Sequence, residues 1–257
     1  MLQMLKACCL AFSMYSRIPV PSLEYKEESS RYVFCFFPLV GLVTGALEIL
    51  AFQLLTWIRT GPFLRGALLA ALPLLVSGGI HLEGFMDTVD ARSSFADKEK
   101  KLAILKDPHL GAFALIYGGL YLLMDAAAWS EAVWRVAACM AMFFAAERAA
   151  SALAVQLFPQ AGRESSLEMF RMEKKAKVIC LTQVGWLIAV FAVMAVIWPA
   201  GAALSALVLL LMLARYYRVA VKEFGGIRGD LAGWFLQSSE LAALLALFIL
   251  EKAAHIL

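Results

Sequence analysis

Seven apolar runs restrict what this chain can fold into more than any other feature. They lie at 33–55, 64–80, 111–128, 136–158, 178–197, 201–214 and 236–250. A bilayer's hydrocarbon core is about 30 Å thick and takes about 20 apolar residues of helix to cross. Inside it every backbone N–H and C=O has to find its partner within the segment, which selects helices. The runs at 64–80 and 201–214 are the shortest, and Trp198-Pro199-Ala200-Gly201 reads either as a tight hairpin or as a kink in a longer element. Hydrophobic residues make up 62% of the chain, against about 45–50% in soluble domains, which excludes the soluble class. The expectation is an all-α polytopic membrane protein with about seven transmembrane helices (six to eight) and cytoplasmic catalytic loops. No internal repeat or low-complexity linker divides it, so residues 1–257 read as a single integral membrane domain. The first 13 residues carry Lys6, and Tyr15-Ser16-Arg17 does not resemble a signal-peptidase site, so they read as an uncleaved membrane-surface or re-entrant segment.

Charge sets the orientation. The loops at 15–32, 81–110, 159–177 and 215–235 together hold 17 Lys and Arg, whereas the alternate loops hold four: Arg59, Arg65, Arg135 and Lys252. Basic residues stay on the cytoplasmic side. This predicts a cytoplasmic N-terminus and an outer C-terminus in the cell (inner) membrane of a prokaryote, with every long loop in the cytoplasm. The net charge of +3 is spread over several loops, not packed into one patch, and no nucleic-acid partner is expected. Five cysteines without CxxC spacing read as small apolar residues.

The polar chemistry concentrates in Gly78-Gly79-Ile80-His81-Leu82-Glu83-Gly84-Phe85-Met86-Asp87-Thr88-Val89-Asp90. On a helix, Glu83, Asp87 and Asp90 fall at i, i+4 and i+7 and share a face. Carboxylates grouped at the mouth of a membrane helix repel one another unless a cation neutralises them. Hard oxygen ligands suit Mg²⁺, which keeps waters and bridges to substrate phosphates. The alternative is a solvated acidic face. Asp97 could extend that face, but Ser94-Phe95-Ala96-Asp97 reads better as a capping box opening a new helix. Lys98 to Lys106 reads as a basic amphipathic stretch. At its end, Lys106 is placed to hold phosphate, and Asp107 to hold metal or orient the lysine. The turn Gly225-Gly226-Ile227-Arg228-Gly229-Asp230 has glycines that let backbone approach a ligand closely, with amides facing phosphate. Glu147-Arg148, Glu48 and Glu240 are charges inside apolar runs, suggesting either function or fixed helix packing. Glu240 reads as the better functional candidate, near the cytoplasmic mouth of the last span. His81 and His109 flank the acidic segment without forming a metal-ligand pattern.

These motifs together resemble the cobalamin synthase family, also called adenosylcobinamide-GDP ribazoletransferase. The resemblance is carried by Gly79-Ile80-His81-Leu82-Glu83-Gly84 with Asp87 and Asp90, Lys106-Asp107 with Gly111-Ala112-Phe113, Tyr15-Ser16-Arg17-Ile18-Pro19, Arg148, Arg163, and Gly225-Gly226 with Gly229-Asp230. Glu83 stands where the family usually has Asp, Ala91 where Gly is common, and Arg228 where Thr is common.

The resemblance implies the last assembly step of cobalamin synthesis. The hydroxyl of α-ribazole, or of its 5′-phosphate, attacks adenosylcobinamide-GDP, releasing GMP and forming adenosylcobalamin or its 5′-phosphate. It also implies Mg²⁺. On this reading Glu83, Asp87 and Asp90 are the metal ligands, Asp90 doubles as base, and Lys106 and Asp107 complete the catalytic set. Arg17, His81, Arg148, Arg163, Gly225, Gly226, Gly229 and Asp230 then bind substrate. Partners beyond the substrates and the bilayer would be a second copy or other cobamide-pathway proteins. A CDP-alcohol phosphotransferase-like enzyme shares Ala91-Arg92 but lacks the rest of that pattern. A transporter would carry its ionisable residues near the midplane, and a non-catalytic membrane scaffold leaves the converging acids unexplained.

Overall fold

A computed structural model describes residues 2–21, 32–161 and 176–254. Ten α-helices lie within them: α1 (Leu2–Tyr15), α2 (Val33–Trp57), α3 (Pro62–Ser77), α4 (Ile80–Ser93), α5 (Lys98–Ile104), α6 (Ala112–Ser130), α7 (Trp134–Leu157), α8 (Ala176–Ile197), α9 (Pro199–Val219) and α10 (Gly229–Ala253). Among the described residues there is no β-strand, only a parallel bridge between Gln160 and Ile227. Six helices (α2, α6, α7, α8, α9 and α10) are long and apolar enough to cross a membrane, and α3 with α4, bent by 97°, brings the number to as many as seven. The chain is an all-α polytopic membrane protein.

The path of the chain shows how α3 fits this alternation. At one end Arg65 near the start of α3 donates to the Ser130 carbonyl at the end of α6 (2.6 Å). At the other, the Arg17 amide donates to the Val76 carbonyl (2.7 Å). Thus α3 runs the length of the bundle, and its 16 residues rise about 24 Å. The chain then turns at Gly78 and Gly79, with φ of +68° and +80°, conformations glycine adopts at no steric cost. Helix α4, bent by 97° from α3, therefore lies across the bundle near this end, with Phe85 against Tyr121 of α6. Pro199 at the first position of α10's predecessor, α9, follows the extended Trp198, so Trp198-Pro199 makes a tight hairpin, not a kink.

Helix α7 is the most buried span and packs on α2 through small residues. A Cβ on Gly41 would lie 2.2 Å from the Phe144 carbonyl oxygen, and one on Gly45 2.0 Å from that of Ala141. Small residues four apart let membrane helices approach to backbone contact. Helix α8 is peripheral, and its exposed side chains, among them Leu181, Val184, Ile188 and Val196, are apolar as a lipid-facing surface requires.

Among the described residues, the polar connections gather at one end: residues 16–21 after α1, α4 with α5, residues 158–161 after α7, and the turn between α9 and α10. The opposite end is tied by Arg135 to Glu251 and by Lys252 to Glu131 (2.8 Å), with Trp57, Phe63 and Trp134 exposed around it. Aromatic side chains favour that interfacial position.

Candidate active site

At the polar end a cavity of about 580 Å³ lies between α1, α2, α4, α7, α10 and the segment after α5. Its position follows from two close helix contacts. A Cβ on Gly84 would sit 2.8 Å from the Asp230 carbonyl oxygen, and one on Gly233 2.8 Å from that of His81. Glycine on both helices thus brings α4 against the first turns of α10. Glu83 and Asp87, one turn apart on α4, then face the cavity together with Asp230 of α10, and Lys106 and Asp107 line it from the side. The remaining wall is apolar and includes Tyr15, Phe34, Phe37 and Leu105.

The electrostatics centre on Asp87. Burial pushes its carboxyl up to about 6, with Asp230, Glu83 and Asp90 adding to the rise. Desolvation and like charge both disfavour the ionised form. His81 is 5% exposed, lies against the rings of Tyr15 and Phe37, and is held neutral by burial and by the charge of Arg148. Its Nε2 is buried without a hydrogen-bond partner among the described residues, in a residue that lines the cavity.

Comparisons with known proteins place the chain in a family. Residues 7–248 match the family model described as cobalamin-5-phosphate synthase. The chain belongs to the cobalamin-5-phosphate synthase family. A relative from Lachnoclostridium phytofermentans is 41% identical over 96% of this chain and 95% of its own length. Relatives from Clostridium perfringens strain 13 (32% identical, over 95% of this chain and 98% of that one) and Brevibacillus brevis (30%, over 92% and 95%) also align nearly end to end. All three bear the name adenosylcobinamide-GDP ribazoletransferase. No solved structure matches.

In this cobalamin-5-phosphate synthase family member, not every residue expected at the site reaches the cavity. Glu83, Asp87, Lys106, Asp107, His81, Gly229 and Asp230 line it. Asp90 does not: its carboxylate rests on Gly111, where an added Cβ would lie 2.0 Å from both oxygens. The conjunction of Asp90 with Gly111-Ala112-Phe113 in the family's motif therefore has a packing cause. Asp107 spends its carboxylate on the His109 backbone N–H (3.0 Å) and ring Nδ1 (2.7 Å), closing a turn. Arg17 does not line the cavity either: it is exposed, laid across Gly78.

Arg148 lies deeper, 1% exposed. It pairs with Glu147 (2.7 Å) and faces Glu240 at 3.6 Å, while Gln237 donates to Glu240 (2.6 Å). Glu240 therefore belongs to a buried polar group in the bundle and not to the mouth of the last span. Both oxygens of Glu48 are buried without a hydrogen-bond partner among the described residues.

The turn Gly225-Gly226 uses its glycines for protein contacts. A Cβ on Gly226 would meet the Gln160 carbonyl carbon at 2.2 Å, and one on Gly225 the Lys98 Nζ at 2.0 Å. The Gly226 amide donates to the Ala220 carbonyl (2.9 Å). Arg163 lies outside the described residues.

Helix α5 begins at Asp97, whose carboxylate accepts from the Lys100 amide (2.9 Å). The capping-box expectation placed the new helix correctly but assigned the cap to Ser94, which instead bonds the Ala91 carbonyl (2.7 Å).

As they stand, no three His, Cys, Asp or Glu side chains among the described residues form a group that holds a metal ion. The donor chemistry still suits a hard cation: carboxylates from α4 and α10 face one cavity, and their crowding around Asp87 is a repulsion that a divalent ion relieves.

Proposed function

We propose that this protein joins adenosylcobinamide-GDP to α-ribazole or its 5′-phosphate, releasing GMP and forming adenosylcobalamin or its 5′-phosphate, the last assembly step of cobalamin synthesis. The observation that carries this reading is the cavity in which Glu83, Asp87 and Asp230 face Lys106, in a chain matched by the family over almost its whole length. The ribose hydroxyl attacks the phosphorus that bears cobinamide, the P–O bond to GMP breaks, and GMP leaves with the bonding electron pair. A phosphoryl transfer of this kind needs positioning and charge stabilisation more than covalent help.

Mg²⁺ is the proposed cofactor, held by Glu83, Asp87 and, across the cavity, Asp230; Asp90 follows one turn along α4. When bound, it supplies positive charge against the pyrophosphate. Lys106 offers a point charge to phosphate oxygens, and Arg17, beside Gly78, a second. Neutral His81 presents Nε2 for a hydrogen bond inside the cavity. Asp87 takes the hydroxyl proton, in place of Asp90, which lies off the cavity. The apolar wall gives a surface for the nonpolar parts of a substrate. The polar end, which carries most of the basic residues, faces the cytoplasm of a cell whose inner membrane holds the bundle.

The test is GMP release and cobamide formation by protein purified into detergent or liposomes, from adenosylcobinamide-GDP and α-ribazole, with Mg²⁺ or EDTA. Turnover should require Mg²⁺ and fall by at least about 100-fold in Asp87→Ala. No turnover from folded, lipid-reconstituted protein would overturn the assignment, and Mg²⁺-independent turnover would overturn the metal.

A further inference from the structure

A second cavity, of about 520 Å³, lies on the opposite side of α4. Helices α6 and α9 each pack on α10 but not appreciably on one another, so between them a groove runs along α10, which forms its floor. Leu241, Ala242 and Leu245 line the floor, Tyr117 one wall and Arg215 the other, and α4 roofs the end. Outer residues of the two wall helices, such as Leu120, Leu123, Leu210 and Leu211, are exposed and apolar, so the surrounding medium is lipid.

The groove has a charged head and an apolar tail. At the roof the guanidinium groups of Arg92 and Arg215 stack on Trp234, 5.4 and 4.9 Å from its ring. Arg92 and Lys101 both pair with Glu223, at 3.0 and 2.8 Å. Two cations thus share one carboxylate, and Arg215 stands beside Arg92 on the same ring, leaving a local excess of positive charge there. From Trp234 to Leu245 the floor descends about 16 Å at the helical rise. One leaflet's share of a hydrocarbon core is about 15 Å.

We propose that this groove binds one anionic phospholipid, with its phosphate on Arg215 and Arg92 and an acyl chain along Leu241 to Leu245. Charge complementarity at one leaflet's depth selects this occupant over a second copy of the chain. The lipid would buttress the back of α4, whose front carries Glu83 and Asp87.

The proposal is tested without turnover, so its outcome is separate from that of the proposed reaction. The protein is placed in phosphatidylcholine nanodiscs doped with phosphatidylglycerol carrying a photoreactive acyl chain, and labelled peptides are mapped. Labelling should fall on the α10 segment around Leu241–Leu245. Unlabelled phosphatidylglycerol should compete, and neither phosphatidylcholine nor inorganic phosphate should. Arg215→Ala should cut labelling about fivefold and Arg215→Lys should retain most of it. Leu241→Trp, which fills the groove, should abolish it with the melting temperature unchanged. Equal labelling by both lipid classes, indifference to Arg215→Ala, or a cross-link between two copies in place of lipid labelling would each overturn the proposal.

Discussion

Asp87 is one turn from Glu83 on α4 and faces Asp230 across the cavity, and its ionisation is opposed by both burial and charge. Its carboxyl stands at about 6 in the folded chain against an ordinary 3.8. Between these values the folded chain holds more protons than the unfolded one, so this group makes stability fall as pH rises from about 4 to about 6. In EDTA, the thermal midpoint measured in detergent should therefore be higher at pH 5 than at pH 7. Asp87→Asn should flatten that difference. Added Mg²⁺ should raise the midpoint at pH 7 more than at pH 5, where protons compete for the same oxygens; no Mg²⁺ effect at either pH would argue against a metal on these carboxylates.

At the scale of elements, the site exists because α4 turns across the bundle and presses on α10. Gly78 and Gly79 permit the turn, and Gly84 with Gly233 permits the contact. Gly84→Val would put side-chain atoms into the Asp230 backbone, which has no room to yield because a Cβ would already lie 2.8 Å from its carbonyl oxygen. Overpacking of this kind costs about 1–3 kcal/mol. Because the displaced helix carries Glu83 and Asp87, turnover should fall further than that stability loss explains. A variant that melts lower but turns over normally would show that the contact does not position the carboxylates. Helix α5, seven residues long and capped by Asp97, is held from outside as well: Lys101 reaches Glu223, four residues beyond α9 (2.8 Å), fastening the segment that delivers Lys106.

Across the whole molecule, the path of six to seven spanning helices sorts the described connections by chemistry. One end carries the cavity and most of the described cations, and the other is short-looped and ringed by aromatic residues. In a cysteine-free background, a cysteine at Ser94 should resist a membrane-impermeant maleimide added to intact cells and react once they are opened. A cysteine at Glu131 should react in intact cells. The reverse pattern would invert the orientation, and labelling of both from outside would rule out an odd number of crossings between them. Small residues carry the interior of this architecture: Gly41 and Gly45 on α2 meet the backbone of α7, so the central helix is gripped by backbone contact, with lipid supplying no hydrophobic drive between helices.

Length and polarity of the apolar runs determined the class, the number of crossings to within one and the separation of a basic from a neutral end, because hydrocarbon imposes those rules on local sequence. Spacing along one helix likewise put Glu83 and Asp87 on a common face, and the quoted motifs identified the family. Contacts between helices were not legible in that way. Asp230 joins the cavity while Asp90 withdraws onto Gly111, and Gly225-Gly226 serves the Gln160 backbone, because these outcomes depend on which segments come within a few ångströms in three dimensions. Phe34 and Phe37 read as ordinary apolar residues until the bundle set them, with Tyr15, along one wall. Glu240, placed near a mouth by its position in the chain, is buried with Arg148 because α10 begins seven residues earlier than its apolar run. Side-chain periodicity is local, whereas a site assembled from α1, α2, α4, α7 and α10 depends on how helices pack, and the tertiary structure alone decides that.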